Sequence, residues 1–247
     1  MTSAPDLTVL LETGPLDPLL TQLDDQPRRV HTFLARPADH GPEQWMPLHV
    51  AAHAGHLAAV HALLDRGVHP DCRTRFTTPM HARQTALHLA AAAGHAEVAQ
   101  RLLEAAAEIE VRDAQQRSPL WLAARHRHPA LLTRLARRGA ALDPRDRQQR
   151  PPLHAALLPA DDPASFDPAA ALALLDAGAD IHLTCPKDPD GYTPLHRCVT
   201  LGDPALPVAQ RLLDAGADPD ATDPRFGRSP RQLAEHLGRA AYLELLP

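Results

Sequence analysis

The chain has 247 residues, with 25 basic against 30 acidic side chains, a formal net charge of −5 and 44% hydrophobic content. That is ample apolar material for a folded core, and the acidic balance argues against a general nucleic-acid binder. Cys72, Cys185 and Cys198 make an odd count with no framework spacing, so a disulfide-stapled secreted fold is not expected.

The first residues, 1–14, carry no basic leader before their short apolar stretch, which argues against a signal peptide. No apolar run reaches membrane-spanning length. Residues 17–23 and 27–34 each read as a short helix. Together they are expected to form a degenerate helical cap, residues 1–40, closing the open apolar end of a helical stack.

From there one phrase recurs. It is written Met46-Pro-Leu-His49, Thr85-Ala-Leu-His88, Ser118-Pro-Leu-Trp121, Pro151-Pro-Leu-His154, Thr193-Pro-Leu-His196 and Ser229-Pro-Arg-Gln232. Its second residue falls at 47, 86, 119, 152, 194 and 230, a base period of 33 with insertions of three, six and nine. Fixed-period similarity means that a unit cannot bury its apolar face alone and must stack on neighbours. Thr85, Ser118, Thr193 and Ser229 stand where a helix N-cap is needed, and Pro119, Pro194 and Pro230 follow at the first helical position. Small residues then make a thin first helix. A second helix is predicted over 57–64, 96–103, 129–136, 168–175 and 207–213, with leucines at helical spacing. Gly67, Gly139, Gly178 and Gly216 end it. Ala106 takes that place in one unit and should strain it.

These residues resemble the ankyrin-repeat family. The family pattern Asp-x-x-Gly-x-Thr-Pro-Leu-His, then Gly-His, then Leu-Leu-x-x-Gly-Ala-Asp is matched by three kinds of segment. They are Asp188-Pro-Asp-Gly-Tyr-Thr-Pro-Leu-His196, Gly94-His95, and the runs Leu174-Leu-Asp-Ala-Gly-Ala-Asp180 and Leu212-Leu-Asp-Ala-Gly-Ala-Asp218. The resemblance covers residues 41–247, in units of about 41–79, 80–112, 113–145, 146–187, 188–223 and 224–247. It implies an all-α solenoid of stacked helix-turn-helix units, with first helices on a concave face, second helices on a convex face, and finger loops beside the groove. Gln116 and Gln149 depart from the finger glycine, Trp121 and Gln232 from the phrase histidine, and Arg127 from the glycine before His128.

Between residues 112 and 150, ten arginines stand against Asp113, Asp143 and Asp146, and residues 155–190 are acidic in turn. Superposed on the family geometry, Gln115, Arg117, Arg125, His126, Arg147 and Arg150 form a basic stripe in the groove. Trp45 lies toward the front, Asp190 and Tyr192 lie further along, and Phe76 is near the tip of a lengthened finger at 71–83. Arginine, tryptophan and tyrosine are strong binding anchors, and arginine grips carboxylates through paired donors. The expected ligand is an acidic segment of another protein. The alternative is a solvated face whose arginines pair with nearby aspartates.

Sixteen histidines invite a metal or catalytic reading. His49, His88, His154 and His196 share one repeated position, however, and His56 and His95 share another, which suits a structural role. In this family the phrase histidine tends to hydrogen-bond the backbone of an adjacent finger. No zinc-site spacing, phosphate loop or nucleophile elbow is present. The expectation is a monomeric, non-catalytic protein-binding module with no cofactor and no membrane or nucleic-acid partner. The arginine-, proline- and alanine-rich composition suggests a GC-rich genome; with the cysteine count and the signal-peptide reading, the expected setting is bacterial and cytoplasmic. A regulatory or inhibitory subunit that masks an enzyme or toxin is the alternative.

Overall fold

The computed structural model describes residues 6–12, 14–32, 34–36, 43–76, 83–158, 166–185, 187 and 191–246. It divides into two compact units, Met1–Pro119 and Leu120–Pro247.

The first unit holds α1 (Leu7–Glu12), α2 (Leu16–Asp25), α3 (Pro47–Ala54), α4 (Leu57–Asp65), α5 (Ala86–Ala93) and α6 (Ala96–Glu104). First helices pack on first helices, α1 on α3 and α3 on α5. Second helices do the same, α2 on α4 and α4 on α6. The first-helix layer is thin because alanine lines it: Ala51, Ala52, Ala90 and Ala91 are fully buried. Backbones can therefore approach closely. The second helices are amphipathic, as in α6, where Val98, Ala99 and Leu102 face inward.

In the second unit the helices are α7 (Pro119–Arg125), α8 (Pro129–Arg137), α9 (Pro152–Ala156), α10 (Ala169–Asp176), α11 (Pro194–Leu201), α12 (Leu206–Asp214), α13 (Pro230–Leu237) and α14 (Ala240–Leu245). Here α9 packs on α11 and α11 on α13, while α8, α10, α12 and α14 stack in series.

The helix ends follow the expected chemistry. Gly67, Gly139, Gly178 and Gly216 take φ of 78°, 85°, 94° and 91°. Ala106 is forced into the same region at φ 63°, where its Cβ crowds the backbone. Ala106→Gly should therefore raise unfolding stability by about 1 kcal/mol. An unchanged urea midpoint would show that this cap carries no strain.

Several details differ from the sequence reading. The amino-terminal helix pair is α1 and α2, one element earlier than expected; residues 27–31 form only a 3-10 turn. Among the described residues three short strands lie outside the helix pairs: β1 (Leu34–Arg36), β2 (Glu43–Trp45) and β3 (Arg75–Phe76). They form an antiparallel sheet in the order β1-β2-β3, pairing Leu34 with Trp45 and Glu43 with Phe76. Part of the lengthened finger is thus a strand, made by backbone pairing that no local periodicity announces. At the far end, Tyr242 lies in α14. The residue is fully buried, and its Oη lies 2.8 Å from the Cys198 carbonyl and 2.9 Å from that of Gly202. Both carbonyls already accept a backbone N–H, Cys198 O from Gly202 and Gly202 O from Ala205, so the phenol adds a further donor where α11 ends.

Candidate functional site: a finger ladder and an arginine-bearing face

The phrase histidines build a ladder from each first helix to the next finger. His49 Nε2 lies 2.9 Å from the Cys72 carbonyl and His88 Nε2 3.1 Å from that of Arg117. His154 reaches Tyr192 O at 3.1 Å and His196 reaches Arg228 O at 2.9 Å. Trp121, which breaks the phrase, keeps the bond: its Nε1 donates to the Arg150 carbonyl at 3.0 Å. What the position needs is a ring N–H at the right reach. The other ring nitrogen closes the helix start. Met46 N donates to His49 Nδ1 at 3.0 Å, and Thr85 N donates to His88 Nδ1 at 3.2 Å. Both imidazoles must then be neutral, with the proton on Nε2. Burial pushes His49 and His88 down to about 4.

A second histidine position repeats the device. His56 Nε2 bonds Gly14 O at 2.9 Å, and His95 Nε2 bonds His53 O at 3.0 Å. Gly55, at φ 76°, is doubly required, because a Cβ there would sit 2.6 Å from the His95 ring. Arg127 stands at the matching glycine position with φ 58°. Its side chain donates to Leu158 O at 2.9 Å and covers buried Phe166, with the guanidinium 5.2 Å from the ring centre. The arginine thus props the end of the short α9.

Two fingers share one construction. Asp113 is 2% exposed and accepts from Gln115 N at 2.8 Å and Arg117 N at 2.9 Å. Arg117 Nε then donates to the same carboxylate at 2.7 Å. Asp146 is 1% exposed and accepts from Arg150 N and Nε, both at 2.8 Å, and from Arg150 Nη2 at 2.6 Å. Gln116 and Gln149, in place of glycine, take φ of 60° and 64°. The buried carboxylates hold these strained turns together. Arg145 bridges fingers, donating to Gln149 O at 2.7 Å and Thr184 O at 2.8 Å.

This construction sorts the stripe. Arg117 and Arg150 spend their charge on buried aspartates, and Arg150 also lies over Trp121, 5.5 Å from the ring centre. Arg125, at the end of α7, and exposed Arg147, in the finger before α9, have no ion pair among the described residues. Arg127, beside them, is held below the usual arginine range by burial and by the charge of Arg125. His126 is exposed and stacks with His128, their ring centres 6.5 Å apart. Gln115 is half-buried in its finger.

The aromatics are placed differently from the expectation of open flanking anchors. Trp45 is 5% exposed and packs edge-on against His53. Tyr192 is 7% exposed, stacked on His196 at 5.4 Å and covered by Arg197 at 5.1 Å. Both rings are spent on packing against histidines, and Tyr192 also on a cation–π contact. Asp190 lies outside the described residues, and only the backbone of Phe76 is described. The sequence reading passed over Phe226, which is 52% exposed. Its signal was an aromatic between two arginines in a finger, Arg225-Phe-Gly-Arg228.

The cysteines are free thiols. Cys72 is half-buried with Sγ 3.7 Å from His49 Nε2. Burial and the neighbouring Asp71 push its thiol up to about 12, so it is a poor nucleophile. Among the described residues no cluster of three or more His, Cys, Asp or Glu could hold a metal ion. No described helix is long and apolar enough to cross a membrane.

A three-copy ankyrin-repeat family model matches residues 22–113, and a single ankyrin-repeat model matches residues 190–224. Among solved structures, the ankyrin repeat domain of Bcl-3, a member of the IkappaB protein family, aligns with a TM-score of 0.68 at 22% identity. That alignment covers 94% of this chain and 95% of the other, and at this identity it shows the fold. No curated protein matches the chain. The repeated phrase, the finger ladder and these matches agree: the chain belongs to the ankyrin-repeat family.

Proposed function

We propose that this chain is a non-catalytic module that binds another protein through finger and first-helix positions, and that an acidic segment of the partner docks on Arg125, His126 and Arg147. Ankyrin repeats are generally protein–protein interaction modules, and the fold is typically non-catalytic. The observation that carries the reading is the division of labour among the arginines. Arg117, Arg145 and Arg150 are consumed by the fingers, whereas Arg125 and Arg147 have no ion pair among the described residues of their own unit. A guanidinium with unspent donors can take a carboxylate through two parallel bonds.

Residues 1–40 serve as the amino-terminal cap in this reading, supported by the packing of α1 on α3 and α2 on α4. Residues 41–247 form the binding array. The free, mostly buried thiols support a reducing, cytoplasmic setting.

The test is affinity capture at low and high salt with wild type and an Arg125→Glu/Arg147→Glu variant. A stoichiometric partner should be lost with the variant, with affinity reduced by about tenfold or more and the melting temperature nearly unchanged. Equal retention by both proteins would remove these arginines from the interface. A tight one-to-one complex with an enzyme or toxin would identify an inhibitory subunit in place of a general adaptor.

A further inference from the structure

Among the described residues, three large apolar side chains stand clearly in water: Val9, Leu237 and Phe226. Phe226 is the aromatic one. It sits in the finger between α12 and α13, in a closely hydrogen-bonded turn. The carboxylate of Asp223, 2% exposed, accepts from Arg225 N at 3.0 Å, Phe226 N at 2.6 Å and Arg228 N at 3.1 Å. Asp223 N returns a bond to Arg228 O at 2.9 Å, and Gly227 closes the turn at φ 65°. The same Arg228 carbonyl receives His196 Nε2, which ties the finger to α11. Two guanidiniums attend the ring, Arg225 at 4.9 Å and Arg228 at 5.1 Å from its centre.

We propose that this Arg–Phe–Arg fingertip is an anchor point for a partner segment in which an apolar side chain stands beside Asp or Glu. The ring takes the apolar group and the arginines take the carboxylate. Because the backbone turn is already fixed, little ordering entropy is lost on binding. Aromatic and arginine side chains are the types that concentrate binding energy. A protein segment is favoured over nucleic acid: one ring offers no platform for successive bases, and the chain's net charge of −5 repels a polyanion. The inference rests on the protein-binding reading but not on the Arg125–Arg147 face.

The experiment selects a phage-displayed random-peptide library on the full chain. The best synthetic peptide is then titrated by fluorescence anisotropy against wild type, Phe226→Ala, Arg225→Glu/Arg228→Glu and Arg125→Glu/Arg147→Glu. We expect enriched peptides with Asp or Glu next to Leu or Phe, and affinity at least about tenfold weaker for both fingertip variants. Phe226→Ala should keep the wild-type melting temperature, since the ring is exposed. Peptides that depend on Arg125 and Arg147 but ignore Phe226 would overturn the fingertip and leave the protein-binding reading standing. No enrichment at all, or tighter binding of an oligothymidine than of any peptide, would overturn both.

Discussion

Acidification from pH 7 to pH 4 should unfold much of the amino-terminal unit, and two buried histidines should account for a large share of the loss. His49 and His88 titrate near 4 when folded, against 6.5 for the free side chain. The folded pKa lies below the unfolded one, so the unfolded chain takes up protons first. Stability is complete above pH 6.5 and is lost as pH falls toward 4. Each site should contribute about 3 kcal/mol of that loss at pH 4. The geometry gives the reason. A proton arriving on Nδ1 would face the N–H of Met46 or Thr85, which now donates to it. Around His88 burial is the largest effect and the charges of Arg117 and Arg73 act with it, while Asp113 and the bond to the Arg117 carbonyl favour the charged form without overcoming it.

The protein supplies its own control substitution. At the phrase position of α13 stands Gln232, whose Oε1 accepts from Ser229 N at 3.0 Å. His88→Gln should therefore keep the helix cap, lose the bond to Arg117 O at a cost of about 1 kcal/mol at pH 7, and flatten the pH dependence. Urea titrations from pH 7 to pH 4 would decide this. If the stability of wild type and His88→Gln falls in parallel, the ladder histidine is not the acid-sensitive element.

The second large effect is expected from Leu153→Ala. Leu153 is 1% exposed and sits in α9, only five residues long, flanked by buried Pro152, His154, Ala155 and Ala156. Removing its side chain should cost about 2 to 4 kcal/mol through lost burial and the cavity left behind. A helix this short has little propensity of its own to offset the loss. Thermal unfolding measures the effect directly. A melting temperature equal to wild type would mean that Leu153 is not a core residue and that the register of this repeat is misplaced.

The proposed binding face was partly legible in the sequence. The run of ten arginines was visible, but not which of them are spent. Arg117 and Arg150 each sit four residues after an aspartate, a pair that could as easily have been solvated. Only the buried turn, with amides already pointing at Asp113 and Asp146, turns those arginines into struts. Trp45 and Tyr192 read as anchors by residue type alone. Each packs against a histidine in the fold, Trp45 on His53 and Tyr192 on His196.

By itself the sequence determined the helix pairs of the repeats, though not the amino-terminal pair, because caps, glycines and apolar spacing act within a few residues of one another. It determined the family too, since the phrase repeats with its period. The three strands, the buried Tyr242 hydroxyl, the exposed Phe226 and the bond by which Trp121 replaces a histidine were decided only by the tertiary structure. The strands, the Tyr242 bonds and the Trp121 bond depend on partners distant in sequence, such as Arg75 opposite Gln44 or Trp121 beneath Arg150 O. Local pattern carries no record of such distant pairings, because the chain must first stack its repeats before those groups meet.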